Sequence, residues 1–441
     1  MVNPNSELHQ KLLRYEIDRA PPAIGKKNRR FRRIRIQARQ RRPSSTDSDD
    51  YGLKSVSKPF PSRRLFAIFV ILISVVVVSF LFWLRASSPQ SADDSADQLS
   101  DYELSLHRAW RRKLPLKPYK TATFSTRNLS FDRIVQNDDA IFDVGDADVL
   151  VFVHIQKTAG TTFEKFLTRH LDIDHPCKCE RGRKRCKCLR HPGSKENWLF
   201  SRYSTGWSCG LHADWTELVV SNCVDNVLDR KDGASIKRRY FYTTFLREPI
   251  ARTLSEFRHV QRGATWSGSR YMCNGRPATA EELPLCYDPG PDGADGWVNV
   301  TLDAFLDCPH NLANNRQTRM LADLTLVGCY NTSSMPERDR NRIMLESAKR
   351  NLDQMSFFGL QEHMQLSQRL FEKVFRLNFR KNMADWNISK SADTLVNEDQ
   401  KEKLNAVNQL DLELYAFANR IFMQRVRKVL GDTTQLRQLR D

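Results

Sequence analysis

The sequence predicts an α/β protein in which a central parallel sheet is flanked by helices and preceded by a single transmembrane helix. An apolar, β-branched run at Val149–Val153 is typical of a strand buried on both faces of a parallel sheet, and helical spacing follows it. The same order of strand and helix recurs at Arg239–Phe257. Upstream, Leu65–Leu84 is 20 residues without a charge, enough to cross a bilayer as a helix.

The amino-terminal part of the chain predicts a membrane topology. Residues 1–64 carry 17 Lys and Arg and several polar runs, so we expect a disordered, basic, cytosolic tail. Residues 65–84 could be a buried core helix, but their uniform apolarity and flanking arginines favour a signal-anchor span. We then expect a stem at 85–125, a luminal domain at 126–430 and a polar tail at 431–441.

Composition limits the class of partner. The net charge of +18 and a pI near 9.6 favour a polyanion, whether nucleic acid, anionic membrane or acidic glycan. Part of this charge belongs to the basic tail, where contact with anionic lipid is the expected role beside a membrane span.

Cysteines and glycosylation sequons agree with a luminal body. All 10 cysteines fall between Cys177 and Cys329, an even number available for pairing in an oxidising compartment. Four acceptor sequons lie on the same side of the span, and we expect them to carry glycans: Asn128, Asn299, Asn331 and Asn387.

The loop Gln156–Thr162 joins the first strand to a helix and is rich in small residues and hydroxyls, with one cation. Phe163, Phe166, Leu167 and His170 follow at helical spacing. Such a loop points backbone N–H groups and the positive end of the helix dipole at one spot, which suits a phosphate or sulfate group. It is not a Walker A loop, because Lys157 precedes the small residues; the alternative is an ordinary strand-to-helix turn.

The segment Cys177–Cys188 holds two Cys-x-Cys pairs around a basic loop. Four thiolates could bind zinc, but an oxidising compartment favours disulfides. The alternative to a ligand contact is a solvated loop; we expect a contact for sulfated or carboxylated sugar, made by Lys178, Arg181, Arg183, Lys184, Arg185 and Lys187.

The segment Trp198–Trp215 combines three tryptophans with one Arg and one His. Its aromatic rings can stack on sugar faces, and Arg202 can bind a carboxylate or sulfate. His212 is the candidate proton acceptor, with Asp214 a possible orienting group, since imidazole titrates near working pH. The alternative is a structural histidine.

Arg247, at the end of the second strand, and Ser255, in the following helix, could hold a second phosphate. The alternative is an Arg247–Glu248 pair and a serine bonded to its own helix. Further on, Trp386 could stack an adenine and Lys390 could contact phosphate. We expect helices at Pro309–Ala322, Arg338–Met355, Gln365–Phe375 and Glu398–Leu430, and a short strand at Phe357–Gly359.

Several blocks occur in one order along the chain: His154-Ile-Gln-Lys-Thr, Trp198-Leu-Phe-Ser-Arg, Ser204-Thr-Gly-Trp-Ser-Cys-Gly-Leu-His-Ala-Asp-Trp215, His259-Val-Gln-Arg-Gly-Ala-Thr-Trp266 and Asn311-Leu-Ala-Asn-Asn-Arg316. Together they resemble the heparan sulfate 6-O-sulfotransferase family, over roughly residues 125–425. The resemblance implies a P-loop-like sulfotransferase fold in a type II single-pass protein of the Golgi membrane. It also implies sulfuryl transfer from 3′-phosphoadenosine 5′-phosphosulfate to the 6-hydroxyl of glucosamine in heparan sulfate, by in-line displacement. We expect heparan sulfate and the membrane as partners, and no nucleic acid.

The resemblance also assigns roles to residues. His212 would be the catalytic base and Lys157 would stabilise the leaving group. The 5′-phosphosulfate would be held by His154, Ile155, Gln156, Lys157, Thr158, Ala159, Gly160, Thr161 and Thr162, and the 3′-phosphate by Arg247 and Ser255. Ala384, Asp385, Trp386, Lys390 and Ser391 would close over the nucleotide. The acceptor groove would contain Lys184, Arg185, Arg202, Trp207, His259 and Trp266. No metal is expected, and Ala159 departs from the glycine usual in the family.

Two other classes of function fit some of these residues. A nucleoside-triphosphate enzyme would use the phosphate loop, but the order of its lysine is wrong and no magnesium-binding carboxylate is evident. A non-catalytic glycan-binding membrane protein would use the basic Cys-x-Cys segment and would not need His212.

Overall fold

The computed structural model describes residues 127–233, 236–264, 268–287, 297–386 and 395–431. All of them belong to one unit, Leu116–Asp441. The predicted tail, membrane span and stem lie outside the described residues, as do Trp266, Asn387, Lys390 and Ser391. Within the described residues, no helix is both long enough and apolar enough to span a membrane.

The described residues form both helices and strands. The helices are α1 Phe131–Gln136, α2 Gly160–Arg169, α3 Cys223–Asp232, α4 Pro249–Val260, α5 Leu302–Asp307, α6 Arg316–Leu321, α7 Glu337–Gln354, α8 Met364–Phe375, α9 Glu398–Val407 and α10 Gln409–Leu430. The strands are β1 Asp148–Val153, β2 Leu171–Asp172, β3 Lys178–Cys179, β4 Cys186–Lys187, β5 Leu199–Phe200, β6 Arg239–Leu246, β7 Met272–Cys273, β8 Arg276–Pro277, β9 Phe357–Leu360 and β10 Asn378–Phe379.

The central sheet has the strand order β5-β1-β6-β9, and each neighbouring pair is parallel. β1 pairs with β6 along its whole length, from Asp148 opposite Arg239 to Val153 opposite Thr244. Every residue of β1 is buried, as expected for a strand covered on both faces. The α/β fold with a helix-flanked parallel sheet is therefore confirmed.

The carboxyl ends of β1 and β6 lie at the same edge of the sheet, and a helix follows each of them. α2 begins directly after Ala159. α4 begins at Pro249, which supplies the fixed φ that the first turn needs, and the Glu248 carboxylate accepts hydrogen bonds from the N–H groups of Ile250 and Ala251. Two helix N-termini therefore meet at one edge of the sheet, as in other α/β proteins that bind ligands there.

Two helix boundaries differ from those predicted. Helical geometry begins only at Arg316, not at Pro309, because Asn311 caps a turn through the N–H of Ala313 and Asn315 adopts a left-handed φ of 44°. The predicted helix Glu398–Leu430 is interrupted at Asn408, whose side chain accepts from the Thr253 hydroxyl at 2.9 Å. In the first place a polar side chain binds the backbone of a turn, and in the second it binds a distant side chain; helical periodicity does not register either contact.

All ten cysteines form disulfides: Cys177–Cys188, Cys179–Cys186, Cys209–Cys223, Cys273–Cys329 and Cys286–Cys308. The first two close the antiparallel pair β3–β4, so the basic Cys-x-Cys segment is a disulfide-linked hairpin rather than a zinc cluster. The third closes a loop that contains His212. The structure thus selects the disulfide alternative.

Candidate active site

The loop between β1 and α2 folds back on itself through two left-handed residues. Lys157 has a φ of 68° and Ala159 a φ of 69°. The Thr158 hydroxyl is buried between them and donates to the Ile155 carbonyl at 3.1 Å. Ala159 is the last residue before α2. The backbone N–H groups of the first helical turn have no carbonyl partner within the helix, and they point away from the helix at this loop.

Gly160 allows the helix to approach the strand closely. A Cβ at this position would lie 3.0 Å from the Phe152 ring and 3.4 Å from Cδ2 of His154. A side chain here would push α2 away from the end of β1. The glycine therefore keeps the helix N-terminus against the loop.

Positive charge surrounds Lys157. Burial is the main cause that lowers its pKa, and the nearby charges of Arg262, Arg247 and Arg252 lower it further, whereas Glu256 opposes them. Arg247 also donates through Nη1 to the Lys157 carbonyl at 3.3 Å. This excess of cations around one loop favours binding of a multiply charged anion.

Arg247 is held at the end of β6 by Gln317. The Arg247 N–H donates to Gln317 Oε1, and Gln317 Nε2 donates to the Arg247 carbonyl, both at 2.9 Å. The carboxylate of Glu248 caps α4, so it is engaged with backbone N–H groups. Ser255 lies half-buried on α4. The structure thus places Arg247 beside the loop, as predicted.

His212 is buried and has a left-handed φ of 51°. Its Nδ1 lies 3.2 Å from the His154 carbonyl, which can only accept, so Nδ1 carries the hydrogen. Burial lowers the pKa of His212 well below 6.5, and the nearby charges of Arg316 and Arg202 lower it further. The ring is therefore neutral, with the lone pair on Nε2.

Asp214 does not provide the orienting hydrogen bond that we considered for His212. Its carboxylate accepts from the N–H of Glu217 at 3.0 Å and from the hydroxyl of Tyr330 at 3.1 Å. The Glu217 carboxylate in turn accepts from the N–H of Asp214 at 3.1 Å. A carbonyl of the phosphate loop orients the His212 ring instead.

An aromatic and basic wall adjoins His212. The Trp207 ring centroid is 4.7 Å from that of His212, and the Arg202 guanidinium lies 5.5 Å from the Trp207 ring. Arg202 also donates to the Thr161 hydroxyl at 3.4 Å. The structure therefore brings three predicted residues from the Trp198–Trp215 segment against the β1–α2 loop.

The other predicted acceptor residues occupy two places. Arg185, on the disulfide-linked hairpin, lies over Gly206, where a Cβ would be 3.1 Å from its Cδ, whereas Lys184 is exposed. His259 lies on α4, where burial and the charge of Lys157 lower its pKa to about 4. The hairpin thus borders the Trp207 loop, and His259 borders the phosphate loop.

The predicted nucleotide lid is described only in part. Met383–Trp386 forms a 3₁₀ turn, and Ala384 is half-buried within it. This turn packs near α2. The roles predicted for Asp385 and Trp386 stay predictions, as do those of Lys390 and Ser391.

Two sets of functional residues were missed by the sequence analysis. The first is Glu164, fully buried on α2, whose Oε2 lies 2.6 Å from Nδ1 of His154. The second is a buried ion cluster formed by Glu256 with Arg252 and Arg316. Burial alone would raise the pKa of Glu256, but the two guanidinium groups hold this pKa at about 2. One signal was available: Glu164 lies at helical spacing from Gly160 and Leu167, on the apolar face of α2.

Three of the four predicted glycosylation sites are described. Asn299 and Asn331 are exposed, and Asn128 is half-buried in a bridge to Tyr240. Among the described residues, no group of three or more His, Cys, Asp or Glu side chains is arranged to hold a metal ion.

Comparison with known proteins relates the chain to one family. The profile of the "Sulfotransferase family" matches residues 141–418. Heparan-sulfate 6-O-sulfotransferase 1 of Homo sapiens is 53% identical over 286 residues, covering 64% of this chain and 68% of the relative. Heparan-sulfate 6-O-sulfotransferase 2 of Gallus gallus is 51% identical over 286 residues, covering 69% of the relative. The human form of the latter is 52% identical over 286 residues, and the chain spans only 46% of its length.

Proposed function

The chain belongs to the sulfotransferase family, among the heparan-sulfate 6-O-sulfotransferases, and on this premise we propose that it sulfates heparan sulfate. The donor is 3′-phosphoadenosine 5′-phosphosulfate, and the acceptor is the 6-hydroxyl of glucosamine residues. One observation supports this most. The loop that carries Lys157 lies among positive charges, and the His154 carbonyl of the same loop orients the neutral imidazole of His212. The short backbone segment from His154 to Lys157 thereby links the base to the anion-binding loop.

His212 acts as the general base. Its neutral ring keeps Nδ1–H on the His154 carbonyl, so Nε2 takes the acceptor proton as the 6-oxygen attacks sulfur. An alcohol is a weak nucleophile, and removing its proton as the bond forms typically accelerates such a step by about 100- to 10,000-fold. The low pKa of His212 keeps the base unprotonated across the physiological range.

The residues present fit the donor. Lys157, Arg247 and the first turn of α2 offer cations and backbone N–H groups at the end of two strands, and Glu256 opposes them near Lys157. When bound, the donor supplies the sulfuryl group and a phosphate leaving group. Lys157 and the loop N–H groups stabilise the charge that develops on the leaving oxygen, each contributing about 3 kcal/mol. Arg247 and Ser255 hold the second phosphate.

The acceptor glycan binds along the hairpin and the aromatic wall. Arg202 and Trp207 meet the sugar beside His212, and Arg185 extends the basic surface from the hairpin. Lys184 and His259 complete this groove, and the same role is proposed from the sequence for Trp266, which lies outside the described residues. Planar guanidinium groups suit the sulfates and carboxylates of the polysaccharide.

The cellular setting follows from the sequence. Residues 65–84 anchor the protein in the Golgi membrane with residues 126–430 in the lumen, where disulfides are stable. The five disulfides support this compartment. Glycans on the exposed Asn299 and Asn331 would fit the same orientation.

The test is donor-dependent sulfation by the full chain. Radiolabelled donor is incubated with heparan sulfate that lacks 6-sulfate, and the product is cleaved to disaccharides. We expect label on the 6-oxygen of glucosamine; a folded preparation that leaves this oxygen unlabelled contradicts the proposal.

A variant distinguishes an enzyme from a glycan binder. His212→Ala should reduce kcat by at least about 100-fold while heparin retention is unchanged. His191→Ala is the control, because this exposed histidine lies in a surface turn. Equal kcat in the His212 variant and the wild type would remove the base from the mechanism.

A further inference from the structure

The buried carboxylate of Glu164 joins three parts of the site. Its Oε2 lies 2.6 Å from Nδ1 of His154, at the end of β1. Its Oε1 accepts from the backbone N–H of Arg202 at 2.9 Å, in the segment that follows β5. The residue itself is on the first turns of α2 and has no exposed surface.

These two contacts define where the protons are. The Arg202 backbone can only donate, so it occupies one oxygen as an acceptor. An ionised carboxylate has no hydrogen to give, so the His154 ring must present Nδ1–H to the other oxygen. The Cδ2 edge of that ring, which adjoins Nε2, lies against Gly160 at the helix N-terminus.

The same carboxylate fixes the surroundings of the base. His154 contributes the carbonyl that orients His212, and its ring centroid lies 4.9 Å from that of His212. Arg202, whose backbone is bound by Glu164, places its guanidinium on Thr161 and beside the Trp207 ring. Moving Glu164 would therefore displace both the base and the wall next to it.

We propose that Glu164 is a positioning residue for sulfuryl transfer, which holds His154 in the Nδ1–H tautomer and thereby keeps the His212 base and Arg202 in register with the phosphate loop. The expected loss of kcat rests on the proposed function. Its structural part, the tautomer of His154, can be measured without turnover.

Glu164→Gln tests the proposal sharply. A Gln side chain has only one acceptor oxygen, which the Arg202 N–H requires, so its amide group must donate to Nδ1. His154 is then forced into the Nε2–H tautomer. We expect this switch in the nitrogen shifts of ¹⁵N-histidine-labelled protein, with the His154 signals assigned by the loss of signal in His154→Gln.

The kinetic expectation is a loss in kcat. Partners of this kind typically change activity by about 10- to 100-fold, and we expect Glu164→Gln to lower kcat in that range with little change in the KM for heparan sulfate. Glu164→Asp keeps an acceptor-only carboxylate, so it should keep the Nδ1–H tautomer and recover most of the kcat. It also serves as the informative variant if Glu164→Gln does not fold.

Asp148→Asn is the matched control. Asp148 is equally buried and lies at the opposite end of β1, where its carboxylate binds Arg239. This variant should lose stability but retain kcat per folded molecule. It separates the loss of a buried carboxylate from the loss of this one.

The outcomes separate the inference from the proposed function. A folded Glu164→Gln protein with the switched tautomer and a kcat within twofold of the wild type overturns the positioning role. An unchanged tautomer in that variant overturns the proton assignment. A lowered kcat in Glu164→Asp, with the Nδ1–H tautomer retained, overturns the role of the tautomer in catalysis. If the wild type itself does not sulfate the 6-oxygen, the proposed function fails while the tautomer measurement still stands.

Discussion

At the scale of single residues, the site is built on backbone conformations that side chains rarely adopt. Lys157, Ala159 and His212 all have left-handed φ values, of 68°, 69° and 51°. Each such residue costs about 1–2 kcal/mol relative to a right-handed conformation. For Lys157 and His212 the proposed chemistry of the side chain would justify this cost, whereas Ala159 offers only a methyl group.

Ala159→Gly should therefore stabilise the protein. Glycine adopts this φ without strain, but it also increases the freedom of the unfolded chain, so we expect a net gain of up to about 1 kcal/mol in the free energy of unfolding. Chemical denaturation measures it. Ala416→Gly, at an exposed position within α10, is the control and should instead lose about 1 kcal/mol. A loss of similar size in both variants would show that the loop tolerates its alanine without strain.

The sequence predicts candidate residues for the chemistry but not the residues that the structure shows holding them. The loop around Lys157, the candidate base His212 and Arg247 were found from local patterns. Glu164 and Gln317 were not, because their partners lie 38 and 70 residues away along the chain. A carboxylate or an amide on a helix has no local pattern that reveals such a distant partner.

At the scale of elements, hydrogen bonds of the short helix α6 link the end of strand β6 to the carboxy-terminal helix α10. Asp411, in the first turn of α10, accepts from the N–H groups of Gln317 and Thr318 at 3.0 and 2.7 Å. Gln317 then binds both backbone groups of Arg247. The position of Arg247 therefore depends on a helix more than 150 residues further along the chain.

Gln317→Ala should weaken nucleotide binding. The change leaves the N–H and carbonyl of Arg247 without their partner, which costs about 1–3 kcal/mol of stability. We also expect a higher Kd for adenosine 3′,5′-bisphosphate in calorimetry, since Arg247 is the residue proposed to hold the 3′-phosphate.

Gln317→Glu is the graded comparison for this prediction. Glutamate can accept from the Arg247 N–H but has no hydrogen for the Arg247 carbonyl, so an intermediate Kd is expected. If both variants bind the nucleotide as tightly as the wild type, the clamp does not position Arg247 for binding.

At the scale of the whole molecule, the parallel sheet was within reach of sequence reasoning, whereas its strand order and the helix ends were not. Continuous apolar runs at β1 and β6 indicate buried parallel strands, because only such strands lack alternation. The start of α6 after Asn315 and the break at Asn408 depend on tertiary contacts of polar side chains. Periodicity describes the buried face of an element, and it says little about where that face stops.

A buried pair of carboxylates gives the folded molecule a dependence on pH. Burial raises the pKa of Asp214 to about 6, although Arg319 is nearby, and burial together with the charge of Asp214 raises the pKa of Glu217 to about 8. In the unfolded chain both groups ionise near pH 4. Between about pH 4 and pH 8 this pair therefore binds more protons in the folded state than in the unfolded state, and its contribution to stability falls as pH rises.

The window from pH 7.5 to pH 8.5 isolates Glu217. His212 and His259, with lowered pKa values, are neutral there in the folded state and largely neutral in the unfolded chain, and Glu256, with a pKa of about 2, is ionised in both. We expect the free energy of unfolding to fall by about 0.5–1 kcal/mol across this window, because one pKa unit corresponds to 1.36 kcal/mol and Glu217 is only partly ionised there in the folded state. Glu217→Gln should flatten this slope, whereas Glu402→Gln, at an exposed position on α9, should leave it unchanged. The measurement is denaturant unfolding of the oxidised protein at both pH values. A Glu217→Gln protein with the wild-type slope would mean that the Glu217 carboxyl is already ionised in the folded state at neutral pH, with its charge stabilised by Arg319.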